Sequence, residues 1–337
     1  MGSIVKKDFG TTNKGEAANL YELSNDKIRV VVSDFGALLT NLFVKDKDDC
    51  EKDVVWGYKT IGEYEKNGFF FGGTIGRNAN RIGNAKVVID DKEYILDKND
   101  GNNNLHSGFN GYHSRMWTVD NIIENDEKTS ITFALNSKDM DQGFPGNATI
   151  KVTYEIVGAR LNINYSAVSD QKTVFKLTNH SYFNLEGQDS ENVLKHKVFI
   201  DADDFTPVDD ALIPTGKLYA VKNTDMDFTK VRYINNYYDH NYCLNNTGSY
   251  RKVASMRSEL SGIKMNVYTD LDGIQFYTSG SLDSKDSKNG KGYKKGSAAC
   301  FETQYYPDSC NNKNFKTCIF DANEKFETTT SYEFVTE

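Results

Sequence analysis

Proline occurs only four times in 337 residues, tryptophan twice and histidine five times. No apolar run approaches the ~18 residues that a membrane-spanning helix requires, so a membrane is not an expected partner. With so little proline, and no stretch rich in Pro, Gly or Ser, nothing marks a linker; residues 1–337 are read as a single domain. The five cysteines, Cys50, Cys243, Cys300, Cys310 and Cys318, are odd in number, widely spaced and free of any CxxC pair. That pattern fits neither a disulfide framework nor a zinc site. Forty basic against 48 acidic side chains leave a net charge of −8, with the two signs interspersed. Phosphate backbones need clustered Lys and Arg, so nucleic acid is excluded as a partner, and Lys291 to Lys295 reads as a solvated loop. The glycine cluster Phe71-Gly72-Gly73-Thr74-Ile75-Gly76 matches neither GxGxxG nor a Walker loop, so no nucleotide cofactor is expected. Met1 to Gly10 lacks the apolar core of a signal peptide, and Lys6 stands where myristoylation wants Ser or Thr. A cytoplasmic location is the expectation.

What the chain does have is strand grammar, with 20 Tyr and 20 Phe among its residues. Ile28 to Val32 is β-branched and apolar. Val87-Val88-Ile89, then Asp90-Asp91-Lys92, then Tyr94-Ile95-Leu96 reads as a hairpin. Ile150 to Ile156 alternates apolar and polar residues, Gly158 supplies a turn, and Leu161 to Tyr165 alternates back. The same reading pairs Ile263 to Tyr268 with Ile274 to Tyr277 around Leu271-Asp272-Gly273. Helical periodicity is confined to about one turn near Glu63 to Lys66, which argues against βαβ units. The predicted fold is all-β, a large antiparallel β-sandwich with a concave face for a ligand.

Each histidine can be weighed separately. His106 lies in the polar loop Asn102 to Gly108, His180 interrupts an otherwise apolar strand, and His240 follows Asp239. His113 and His196 have no such company and are assigned to the surface. For any one of the first three, a hydrogen-bonded structural role is the simpler reading. Metal ligation has no support, because no HxH, HExxH or carboxylate stands at ligand spacing beside them. Glu302 is the carboxylate that stands out, flanked by aromatics where an unpaired charge is costly. It either meets a cation structurally or does chemistry. Arg81 poses the same choice for a cation.

Seven blocks then carry a resemblance: GRxANRI at Gly76 to Ile82, LHxG at Leu105 to Gly108, GFPG at Gly143 to Gly146, NHSYFNL at Asn179 to Leu185, DHN at Asp239 to Asn241, GIQFYT at Gly273 to Thr278, and ETQxYPDS at Glu302 to Ser309. In this order, with Thr206 to Asp209 and Ile213 to Gly216 matching a further loop, the chain resembles the galactose mutarotases, or aldose 1-epimerases. The resemblance spans most of the sequence. It implies a β-supersandwich that interconverts the α and β anomers of free aldohexoses such as galactose and glucose, without cofactor or metal.

It also implies residue roles. Opening a hemiacetal needs a base on the C1 hydroxyl and an acid on the ring oxygen; rotation about C1–C2 and reclosure then reverse both transfers. By resemblance Glu302 is the base and His180 the acid, with His106 supporting the ring oxygen. Asn80, Arg81, Asp239 and Gln275 are similar to positions that bind sugar hydroxyls. Proximity of a carboxylate and an imidazolium is expected to keep both charged. Two departures stand out: Ser107 where the family usually has glycine, expected to tighten the loop slightly, and Cys310, read as a bystander. The alternatives are a hexose-6-phosphate 1-epimerase, which needs added cations for the phosphate, and a non-catalytic carbohydrate-binding protein on the same fold. Whether the protein is a monomer or a homodimer is left open.

Overall fold

Apolar and polar residues alternate along most of the chain, and the computed structural model, which describes residues 2–337, resolves this pattern into antiparallel sheets. In the strand Ala148–Val157 every second side chain is buried, and it pairs in continuous register with Arg160–Ser169 through a turn at Gly158, where φ is +55°. That left-handed turn suits glycine, which has no Cβ to clash. The expected hairpin near residue 90 forms between Lys86–Ile89 and Lys92–Ile95, with Asp90 and Asp91 both at positive φ; this is the turn hand that matches strand twist.

Three sheets dominate. A nine-stranded sheet runs in the order Thr118–Glu124, Thr129–Ser137, Ala148–Val157, Arg160–Ser169, Phe326–Thr336, Ile263–Thr269, Arg251–Arg257, Lys197–Ile200 and Arg232–Tyr233. A six-stranded sheet runs Tyr182–Phe183, Ala299–Gln304, Gly273–Tyr277, Asp239–Cys243, Asp204–Phe205 and Tyr219–Ala220. The third, of five strands, is formed consecutively between Ser3 and Asp53. One continuous core joins them, with Val30 and Leu39 from the five-stranded sheet, Val152, Ile163 and Met265 from the nine-stranded one, and Phe276 and Phe301 from the six-stranded one. Each such side chain contributes about 1.5–3 kcal/mol by leaving water. The fold class read from the sequence is therefore the one observed. The single α-helix among the described residues, Ile61–Tyr64, is four residues long and closed by a capping box of Thr60 and Glu63. No helix is long and apolar enough to cross a membrane.

Two local readings need correction. Ile263–Thr269 and Gly273–Tyr277 do not pair with each other: the first lies in the nine-stranded sheet and the second in the six-stranded one. Turn residues look alike whether a chain doubles back or crosses to the next sheet, and the strands' burial on both sides decides between the two. His113 and His196 are buried, not superficial. His196 accepts a hydrogen bond from the Leu185 backbone N–H at 3.1 Å, while His113 packs edge-on against Phe70. Lys291, Lys294 and Lys295 are exposed, as a solvated loop requires. The loop is anchored upstream, where half-buried Lys288 donates to Asp53 Oδ2 and the Val55 carbonyl, both at 2.7 Å, and at its centre, where Tyr293 stacks on Trp56 at 4.2 Å.

Two of the conspicuous blocks meet in the interior. Arg77 is fully buried, with Nη1 donating to the Pro145 carbonyl (2.6 Å) and Thr173 Oγ1 (3.1 Å), and Nη2 to Ser137 Oγ (2.7 Å) and the Gly146 carbonyl (3.1 Å). GFPG thus supplies the acceptors for the first arginine of GRxANRI, a structural clamp.

Candidate active site

The six-stranded sheet is two-faced, as a period of two requires. Tyr242, Ile274, Phe276 and Phe301 point into the core. The alternate positions put Asp239, Asn241, Gln275, Tyr277, Cys300, Glu302 and Gln304 on the opposite face. Register aligns them in rows: Gln275 lies opposite both Glu302 and Asn241, and Tyr277 lies opposite both Cys300 and Asp239. Amides knit the rows together. Gln304 Nε2 donates to Asn241 Oδ1 (3.2 Å) and Gln275 Oε1 (3.4 Å), and Gln275 Nε2 donates to Asp239 Oδ1 (2.7 Å).

Two separate pieces of chain bring the histidines over this face. His180 ends the short strand Thr178–His180, paired with Gly73–Ile75, and its carbonyl accepts from the Gly72 N–H at 3.0 Å. His106 follows Asn104–Leu105, which pairs with Arg81–Ile82. There the chain passes through three left-handed residues, His106 (φ +52°), Ser107 (+73°) and Gly108 (+103°). Ser107 offsets the cost of that conformation: its hydroxyl accepts from the Asn78 N–H at 2.7 Å and donates to the Asn78 carbonyl at 3.0 Å. His106 Nδ1 accepts from the Asn80 N–H at 3.1 Å, which leaves the proton of the neutral ring on Nε2.

All seven residues singled out in the sequence, Asn80, Arg81, His106, His180, Asp239, Gln275 and Glu302, line one cavity of about 220 Å³. Its remaining walls include Phe69, Phe70, Leu105, Tyr182, Tyr277 and Ser281, which the sequence reading passed over. Two of them were legible: Tyr182 stands two residues after His180 and Tyr277 two after Gln275, hence on the same faces. Arg81 is held by Asp100, with Nε donating to Oδ2 at 2.7 Å. Among the described residues it is the only Lys or Arg lining the cavity. His240 lies outside, its ring edge against Phe205.

Glu302 and His180 are 2% and 5% exposed, with Glu302 Oε1 3.7 Å from His180 Nε2. Burial pushes the Glu302 carboxyl well above its ordinary range, the Asp239 charge adds to this, and Arg81 opposes it. Burial likewise pushes His180 down to about 3, and His106 well below its usual value. Both shifts run against the expectation that proximity keeps the pair charged, since each favours the neutral form. A 3.7 Å contact does not offset the loss of water from two buried ions. Both shifts favour the proton on the carboxyl over the imidazole. Glu302 Oε2 is buried with no hydrogen-bond partner among the described residues.

The ligand-type atoms of His106, His180 and Glu302 lie within 4.8 Å of one another. Sequence spacing did not foretell this grouping, because it is assembled from three distant strands.

The family model described as Aldose 1-epimerase matches residues 19–333. Galactose mutarotase of Bos taurus is 37% identical, covering 99% of each chain, and the aldose 1-epimerase of Escherichia coli (strain K12) is 32% identical over 96% of this chain and 97% of its own. Among solved structures, the GalM/aldose epimerase homologue from C. elegans aligns with a TM-score of 0.89 at 31% identity, covering 95% of this chain and 99% of that one. Galactose 1-epimerase from Lactobacillus acidophilus NCFM shares the fold at 23% identity and a TM-score of 0.86, over 99% of each chain.

Proposed function

This chain belongs to the aldose 1-epimerase family, and from that premise we propose that it interconverts the α and β anomers of free aldohexoses, galactose and glucose among them, as a single catalytic domain. The observation that carries this reading is the buried pair of Glu302 Oε1 and His180 Nε2, 3.7 Å apart in a cavity otherwise walled by hydrogen-bonding and aromatic side chains. The hydroxyl oxygen and the ring oxygen of a hemiacetal are bonded to the same carbon, so a base for one and an acid for the other must stand side by side. In the reactive protonation state Glu302 takes the proton from the C1 hydroxyl while His180 gives one to the ring oxygen, and the bond from C1 to the ring oxygen breaks. Rotation about C1–C2 and closure on the other face return both protons. His106, whose neutral ring presents Nε2–H, supports the ring oxygen. Asn80, Arg81, Asp239 and Gln275 orient the hydroxyls.

The lining favours a free sugar over a sugar phosphate. Arg81 is already paired with Asp100, and Glu302 and Asp239 bring acidic groups to the same walls; a phosphate dianion needs unpaired donors there. Polarimetry of freshly dissolved α-D-galactose and α-D-glucose, corrected for spontaneous mutarotation, tests the proposal. Faster approach to the equilibrium rotation supports it. A protein that binds these sugars and leaves the rate unchanged is a carbohydrate-binding module instead.

Two further outcomes follow from the same reading. Asp239→Ala is expected to act mainly on KM, because the carboxylate holds hydroxyls and the Gln275 amide and does not exchange the reacting protons. A hydrogen bond to a charged group is worth about 1.5–3 kcal/mol, so KM should rise by about 10- to 100-fold if the bond is equally strong in substrate and transition state. An unchanged KM with a collapsed kcat contradicts the binding role. Exhaustive EDTA treatment and dialysis should leave activity intact, since the proton transfers need no Lewis acid. Loss of activity restored by one divalent ion would instead make His106, His180 and Glu302 a metal site.

A further inference from the structure

Phe70 stands out because an ordinary aromatic residue occupies a conformation that glycine favours. Its φ is +62°, where the Cβ of an L-residue is sterically opposed. The surrounding loop holds it there. Phe70 N–H donates to the Asn67 carbonyl at 3.3 Å, its own carbonyl accepts from Gly73 N–H at 2.9 Å, and the Asn67 side chain bonds both the N–H (2.9 Å) and the carbonyl (3.2 Å) of Phe71. Conformational cost maintained by so many bonds points to what the side chain does. The half-buried ring lines the cavity and meets three histidines: His106 edge-on at 4.7 Å, His113 edge-on at 4.8 Å, and His180 near-parallel at 5.8 Å.

We infer that Phe70 is a positioning residue of this site: its ring keeps water from His106 and His180 and forms an apolar wall for the bound ligand. The second half rests on the sugar-site reading above, while the first does not. Other groups bear on these two rings. His180 is also stacked by Tyr182 at 4.9 Å, its Nδ1 lies 3.7 Å from Cys300 Sγ and its Nε2 faces Glu302. His106 feels Arg81, His113 and Lys176 as well as His180. All these charges stay in place when Phe70 is changed, so a response to its removal isolates the shielding.

The test is a histidine titration by NMR on sugar-free protein, comparing the parent with Phe70→Gly and Phe70→Leu. Glycine tolerates the left-handed backbone and removes the ring. The midpoints of His106 and His180 should rise by at least about one pH unit in Phe70→Gly, toward the ordinary value of ~6.5, and by less in Phe70→Leu. His196, equally buried, pushed down to about 4 and outside the Phe70 contacts, should not move. Unchanged midpoints for His106 and His180, or an equal rise for His196, overturn the shielding. If Phe70→Gly does not fold, Phe70→Leu carries the same comparison with a smaller rise. For the wall, KM for galactose should increase by about tenfold or more in either variant, and an unchanged KM overturns that half. A protein without mutarotase activity would sink the proposed function and leave the titration result standing.

Discussion

Glu302→Gln is expected to lower kcat by at least about 10²-fold with the fold intact, and His180→Asn to do the same. Positioned proton transfer contributes typically ~10²–10⁴-fold per group. Gln keeps the shape of Glu302 and its place opposite Gln275 but has no basicity for the C1 hydroxyl; Asn keeps polarity at 180 but cannot protonate a ring oxygen. Because both groups serve one step, the double variant should be far less than multiplicatively worse. Retention of more than a tenth of kcat in folded Glu302→Gln would remove Glu302 as the base and turn attention to Asp239. The pH dependence follows from the shifts of the same pair. Activity requires one proton shared by the two groups and residing on His180, yet burial raises the carboxyl and lowers the imidazole to about 3. The sign therefore runs opposite to that of an ordinary Glu–His pair. The acid limb of kcat/KM reports the pair gaining a second proton at its imidazole, and the basic limb reports loss of the last proton from its carboxyl. The profile is still expected to be a bell. Infrared difference spectra of the free enzyme near neutral pH should show a protonated carboxylic acid band that is missing from Glu302→Gln. A carboxylate at that pH would restore the charged pair. Every rate must be corrected for spontaneous, acid- and base-catalysed mutarotation.

Arg77→Met is expected to destabilise the protein by at least about 3 kcal/mol without touching the cavity lining. The guanidinium is 0% exposed, and its donors reach the carbonyls of Pro145, Gly146 and Lys138 and the hydroxyls of Thr173, Ser137 and Tyr112. Its removal leaves several buried neutral acceptors without a donor, at about 1–3 kcal/mol each. Arg77→Lys should recover little, because one ammonium group cannot reproduce the planar fork that spans Pro145, Thr173, Ser137 and Gly146. Urea unfolding followed by tryptophan fluorescence measures the effect. A loss below about 1 kcal/mol would show that the loop of Gly143 to Gly146 is held by other contacts.

Much of this molecule is legible in its primary structure, and the illegible part has a common cause. Alternation in Ile150 to Ile156 and Leu161 to Tyr165 determined both strands and their turn at Gly158, because there the side-chain period and the turn chemistry agree. The ordered blocks from Gly76 to Ser309 determined the family and the seven residues that converge on one cavity. Partners distant along the chain were decided only by tertiary structure. Ile263–Thr269 and Gly273–Tyr277 look like a hairpin yet enter different sheets. Arg77 and Arg81 stand four residues apart in one block, yet one is clamped by GFPG and the other lines the cavity. His113 and His196 lie inside although nothing in their flanking residues says so. The protonation of Glu302 and His180 belongs to the same class. Residue type sets the ordinary affinity of each for a proton. Only the packed surroundings, by excluding water from both, determine which of the two holds it.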